Sequence, residues 1–302
     1  MRVLVTGARG LIGYHVAQVL TEQKVEPVLT SRGEAPFPNL PYRALDLTQR
    51  DAVHQLIRDT SPDVVIHSAA MTLVDACQEQ PAVCWLRNVT ATRYLLEALT
   101  KEKPQAHFIF VSTDFVYDGF PAEERPYVEG DYEAPLSVYG ASKLAAEAWV
   151  KLYPGPWTIA RTALVYGWTP TLPRDNILLR VIHRLSQGGV IQLFANQVRT
   201  PTWARDVAIG LFLLAEKRAQ GLYHIAGSDI ETPYTFGQKV AKVWNLPGEL
   251  IQPITELDFR SPAPRPPYSP LSIAKARAIG YNPHTTEEAL QLLHSTTIWV
   301  RG

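Results

Sequence analysis

The stretch Val3–Gly13, VLVTGARGLIG, decides the fold. An apolar run of strand character enters three glycines spaced G-x-x-G-x-x-G and leaves into a segment of helical period. Gly7 permits the tight exit from the strand. Gly10 lets the backbone approach an anion with no Cβ in the way, and Gly13 lets the helix pack close on the sheet. The N–H groups at the start of that helix have no partner within it, and its dipole is positive there. The turn is therefore suited to a dinucleotide pyrophosphate, with Leu11 and Ile12 beside it. A purely structural strand-to-helix turn is the alternative, and a glycine pattern alone does not separate the two.

Outward from that turn, short β-branched runs alternate with longer segments of helical period, the pattern of a parallel sheet covered on both faces. It predicts strands at 2–6, 26–30, 41–45, 63–67, 106–112 and 157–162, and helices at 11–23, 49–60, 78–102 and 137–152. After Gly167 the alternation loosens to a helix near 174–187, a strand near 190–194, a helix at 202–218 and a strand at 221–225. A proline-rich tract from Pro253 to Pro270 precedes two final helical segments. The expected fold class is α/β: a Rossmann-type doubly wound parallel sheet with a smaller C-terminal substrate-binding region. Residues 1–165 and 190–225 are expected to form the dinucleotide-binding domain, and 166–189 with 226–302 the substrate-binding region.

Composition narrows the partners. The 302 residues carry 29 Lys and Arg against 29 Asp and Glu, so no basic field points to nucleic acid or to an anionic membrane. The longest apolar runs are far shorter than the ~20 residues that span a bilayer, and Met1 leads directly into the first strand with no signal-peptide pattern, so a cytoplasmic protein is expected. Cys77 and Cys84 lack the flanking ligands of a metal site; free thiols, no disulfide and no metal are expected.

Two further segments carry chemistry. VYGASK at 138–143 places Tyr139 and Lys143 four apart in an expected helix, hence on one face. A phenol has an ordinary pKa of about 10, and a neighbouring cation favours its ionised form. FIFVSTDFVYDG at 108–119 ends a buried strand in Ser112, Thr113 and Asp114. Ligands of open parallel sheets lie at the carboxyl ends of strands, where these groups would meet Tyr139. A surface helix for the first segment and turn formation for the second are the plain alternatives.

TGARGLIG at 6–13, Thr113 at a strand end and YGASK at 139–143 together resemble the extended short-chain dehydrogenase/reductase superfamily. Within it the sequence is most similar to the dTDP-4-dehydrorhamnose reductase family, through STDFVYDG at 112–119, APLSVYGASKLAAE at 134–147, RTALVYG at 161–167, RTPTWARDVA at 199–208 and RPPYSPL at 265–271. The resemblance implies an NAD(P)H-dependent oxidoreductase that reduces the C4 ketone of a nucleotide-linked 4-keto-6-deoxyhexose, with Tyr139 as proton donor and Lys143 and Thr113 as the other catalytic residues. It implies cofactor contacts at Gly7, Gly10, Leu11, Ile12, Gly13, Asp46, Leu47, Ala69, Ala70 and Asn88 besides Tyr139 and Lys143. Substrate contacts are implied at Asp114, Asn176 and Arg265, the last toward the diphosphate, and a homodimer is implied. The sequence departs from the family at Phe115, where Tyr is usual, at Tyr117, where Phe is usual, and at Ala163–Leu164, where Ser–Trp is usual.

Cofactor choice rests on PVLTSRGEA at 27–35. Ser31 and Arg32 stand where a carboxylate would hold a ribose diol, and Arg9 lies within reach, so NADPH is expected over NADH. Position 115 also lacks the carboxylate of a dehydratase, and the second strand ends without the acidic grip of an NAD-retaining epimerase. An NADP-binding regulatory subunit without turnover, like that of methionine adenosyltransferase, is the rival of another class.

Overall fold

A computed structural model describes residues 1–121, 125–170, 176–255, 257–258 and 261–296. The first half runs β1 (Val3–Thr6), α1 (Leu11–Glu22), β2 (Pro27–Ser31), β3 (Tyr42–Ala44), α2 (Arg50–Thr60), β4 (Val64–His67), α3 (Val74–Glu79), α4 (Pro81–Trp85), α5 (Ala91–Glu102), β5 (His107–Thr113), α6 (Val138–Lys151) and β6 (Trp157–Thr162). The second half runs β7 (Val165–Tyr166), α7 (Ile177–Ser186), β8 (Ile191–Phe194), β9 (Thr202–Trp203), α8 (Ala204–Glu216), β10 (Gly221–His224), α9 (Pro233–Trp244), β11 (Ile251–Ile254), α10 (Ala274–Ala278) and α11 (Thr286–Thr296).

Seven strands form one parallel sheet in the order β10-β6-β5-β4-β1-β2-β3. Successive side chains of a strand point to opposite faces, and the buried strands need apolar residues on both. Val3, Val5, Val64, Ile66, Ile109 and Val111 accordingly pack on one face with α1 and α8. Leu4, Val65, Phe108 and Phe110 pack on the other with α2, α5 and α6. The sheet reverses direction of winding between β1 and β4, and the glycine turn opens at that point.

Two expectations change. The strand expected near 190–194 is β8, which pairs with β11 in a separate two-stranded sheet rather than joining the nucleotide-binding sheet. Leu193 packs there with Val181, Phe236, Val240 and Leu290, a third core outside the doubly wound sheet. The single helix expected at 78–102 is interrupted by Pro81, which starts α4, and by a π turn at Leu86–Thr90 before α5. Residues 174–175 of the helix expected from 174 lie outside the described residues; α7 starts at Ile177.

Candidate active site

Gly7 adopts φ +71°, a conformation that disfavours a Cβ, and a Cβ there would also strike the backbone of Ala69. One on Gly13 would collide with the Gly7 carbonyl. Gly10 caps α1; no side chain caps that end and its first turn holds no acidic residue, so the arrangement suits an anion. A cavity of about 320 Å³ opens beside it, lined by Gly7, Arg9, Gly10, Ser31, Arg32, Asp46, Leu47, Ala69 and Ala70. These residues, expected from the sequence to hold a dinucleotide, are thus brought together. Arg9 donates to the Arg32 carbonyl at 3.3 Å, which sets both arginines at the end of β2. Thr48, Ser68 and Arg87 line the same cavity and were not anticipated.

A second cavity, about 360 Å³, shares Gly10, Ser68 and Ala70 with the first, so the two are lobes of one cleft. Leu11, Ile12, Gly13, Thr113, Asp114, Tyr139, Lys143 and Asn176 line it. Ser137 caps α6 by accepting from the Gly140 N–H at 3.2 Å, and the helical spacing then turns Tyr139 and Lys143 into one lobe. Both volumes lie in the range usual for ligand pockets.

The electrostatics of the pair differ from the sequence expectation. Burial raises the Tyr139 phenol above its ordinary value, with the Thr113 hydroxyl acting in the opposite direction. Burial lowers Lys143 to about 7, against the raising charges of Glu147 and Cys84. Its ammonium lies 3.9 Å from the Phe110 ring centroid. A cation poised to lose its proton near neutrality needs further negative charge to remain fixed, and a bound dinucleotide carries such charge.

Other expected contacts are engaged by the protein itself. Asp114 is 1% exposed, accepts from Ser269 Oγ at 2.6 Å and Thr113 Oγ1 at 3.2 Å, and lies 3.6 Å from Arg199. It fastens the proline-rich tract to the end of β5 while presenting one edge to the cleft. Asn176 accepts from the N–H groups of Leu178 and Leu179 as the cap of α7 and donates to the Gly167 carbonyl at 2.8 Å. Arg265 lies outside the lining of both lobes, because Asp75 holds its guanidinium through bonds of 3.1 and 2.9 Å. Asn88 likewise lines neither lobe: its amide accepts from the Met71 N–H at 2.7 Å and donates to Ser142 at 2.9 Å, tying the loop after β4 to α6.

The aromatic exchange at 115 and 117 has a structural reason. Phe115 faces the cleft edge-on to Tyr139, at 5.7 Å between ring centroids. Tyr117 is fully buried and bonds Arg161 at 2.7 Å and His224 at 2.8 Å. Leu164 lines the lobe of Thr113 and Tyr139, at φ +39°. Neither Trp168 nor Trp203 replaces a tryptophan there; Trp203 is core, edge-on to His284. Cys77 and Cys84 are free and buried beside Tyr139. Among the described residues no cluster of three or more His, Cys, Asp or Glu is arranged for a metal, and no helix is long and apolar enough to cross a membrane.

A doubly wound sheet, a glycine turn at its switch point and a Tyr-x-x-x-Lys pair facing the same cleft define an extended short-chain dehydrogenase/reductase. The chain belongs to the family described as "RmlD substrate binding domain", which matches residues 1–297. It is 33% identical to a probable low-salt glycan biosynthesis reductase, Agl14, of Haloferax volcanii, over 98% of each chain. It is also 33% identical to methionine adenosyltransferase 2 subunit beta of Xenopus tropicalis, over 94% of this chain and 84% of that one. Among solved structures, dTDP-4-dehydrorhamnose reductase from Bacillus anthracis in complex with NADP superposes with a TM-score of 0.86 at 25% identity, covering 98% and 99% of the two chains.

Proposed function

We propose that this protein reduces the C4 ketone of a nucleotide-linked 4-keto-6-deoxyhexose with NADPH. The observation that carries the reading is the continuity of the cleft: the lobe holding Arg9, Ser31 and Arg32 opens into the lobe holding Thr113, Tyr139 and Lys143. The relatives named as reductases and the NADP complex support the same assignment. When bound, the reduced nicotinamide would supply the hydride. Tyr139 gives its phenolic proton to the carbonyl oxygen as that oxygen gains charge, and its burial keeps the proton in place until then. Thr113 turns its single hydroxyl proton from Asp114 toward the same oxygen. Lys143 would hold the cofactor ribose and, once charged, would lower the proton affinity of the phenol. Asp114 and Asn176 present their edges to the sugar, and Arg265 would exchange Asp75 for the substrate diphosphate.

The domain division follows this reading, with β8 transferred to the substrate side. The protein acts in this proposal as a cytoplasmic homodimer, a state the native mass in solution tests. Tyr139→Phe should lower kcat by at least ~10²-fold while leaving dinucleotide Kd within a few-fold, because the ring and its packing survive. An unchanged kcat overturns the mechanism. Leu164 in the lobe of Thr113 and Tyr139 and the similarity to the methionine adenosyltransferase subunit favour a second reading, an NADP-binding regulatory subunit. Absence of turnover across a panel of nucleotide-linked keto sugars, with NADPH bound, would select it.

A further inference from the structure

The π turn at Leu86–Thr90 projects two consecutive residues to different sites. Asn88 is buried at the junction of the β4 loop and α6, and Arg87, beside it, is exposed and lines the nucleotide lobe. An extra residue in a helical turn changes the phase of everything before it, and such turns recur at functional sites. Within this turn the guanidinium of Arg87 lines the nucleotide lobe while the next residue, Asn88, is buried.

The residues lining the lobe differ in chemistry. Arg9, Ser31 and Arg32 cluster at the end of β2, where hydroxyl and guanidinium groups suit a phosphate. Arg87 lines the same lobe, whose apolar lining includes Leu45, Leu47 and Ala91, a surface suited to a flat ring. Asp46 lies within the fields of both Arg32 and Arg87. Asp46 therefore does not separate the two arginines, but its carboxylate can accept from an amino group on the edge of a flat ring. Guanidinium planes stack on such rings.

We propose that Arg87 is a cofactor-binding residue that covers the adenine ring of the dinucleotide by stacking, leaving the choice between NADPH and NADH to Arg9, Ser31 and Arg32. The inference rests on the dinucleotide reading of the cleft. It explains why an arginine occupies a position one residue before a buried structural asparagine. Arg87 contributes affinity common to both cofactors; Arg32 contributes only to the one with a 2′-phosphate.

Calorimetric titration of NADPH, NADH and 5′-AMP into the whole protein and two variants tests this. Arg87→Ala should weaken all three by a common factor of at least ~3-fold, the lower range for a guanidinium over an aromatic face. Arg87→Lys should fail to restore it, because an ammonium has no plane to stack. Arg32→Ala should weaken NADPH alone. A loss in Arg87→Ala confined to NADPH, full affinity in that variant, or full rescue by lysine overturns the assignment. Failure of the unmutated protein to bind either dinucleotide overturns the reading of the cleft itself. Arg87 is exposed, and an unchanged melting temperature confirms that the variants fold.

Discussion

Replacing Glu147 by Gln should lower the melting temperature by about 5 °C, a figure that follows from the cluster around Arg161. Both side chains are fully buried. Glu147 Oε1 accepts from Ser112 Oγ at 2.5 Å and Arg161 Nε at 3.0 Å, and Oε2 accepts from Arg161 Nη2 at 2.6 Å. Glutamine keeps the shape but directs an amide N–H₂ at a donor and removes the charge. Breaking a buried pair by removing one partner costs about 3–5 kcal/mol. Glu133 remains 2.7 Å from the guanidinium, so the lower end applies. An unfolding entropy of about 2.1 cal/mol/K per residue over 302 residues gives about 0.63 kcal/mol/K, and 3 kcal/mol then corresponds to about 5 °C. Differential scanning calorimetry of Glu147→Gln, Arg161→Met and the double variant measures it. The double variant should lose less than the sum of the singles, because it leaves no buried charge unmatched. A shift under ~1 °C in the single variant, or strict additivity, would refute the reasoning.

The remaining expectations address the site and its supports. Tyr117→Phe leaves Arg161 Nη1 and His224 Nε2 without their shared oxygen and should cost about 1–3 kcal/mol, read by denaturant unfolding; a neutral effect contradicts the network. Lys143, lowered to about 7 by burial, is largely uncharged in the free protein above that pH. An anionic dinucleotide favours its charged form and raises its pKa, so binding between pH 7 and 9 should take up a proton, seen by calorimetry in buffers of different ionisation enthalpy. Lys143→Met should abolish that uptake, and no uptake in the unmutated protein rejects the coupling. Leu164→Trp should change KM for the keto sugar by at least ~3-fold with dinucleotide Kd changed less, since Leu164 lines the lobe of Thr113 and Tyr139 and not the nucleotide lobe; an equal change in both is the contrary result.

What the sequence made legible follows a physical division. Positions whose chemistry is fixed by local backbone geometry could be read directly: the glycine turn, the strand-end hydroxyl of Thr113 and the i, i+4 pair of Tyr139 and Lys143 all face the expected cleft. Charged side chains whose role depends on a partner distant in sequence could not. Arg265 is 190 positions from Asp75, and Asp114 is 155 from Ser269, yet those partners determine which of their atoms a ligand can reach. β8 was misassigned for the same reason, since the apolar run 190–194 does not say which sheet receives it and its partner β11 comes about 60 residues later. The clearest case is the exchange at 115 and 117. From sequence it reads only as a departure from the family pattern, a hydroxyl lost at 115 and one gained at 117. In the fold the two positions lie on opposite sides of the β5 exit, one facing the cleft and the other the core. The hydroxyl of Tyr117 therefore serves Arg161 and His224, and through Arg161 it supports Glu147 one helical turn from Lys143. A residue outside the cleft thus reaches the charge of the site through a buried network, which makes stability and cofactor affinity separable readouts of one substitution.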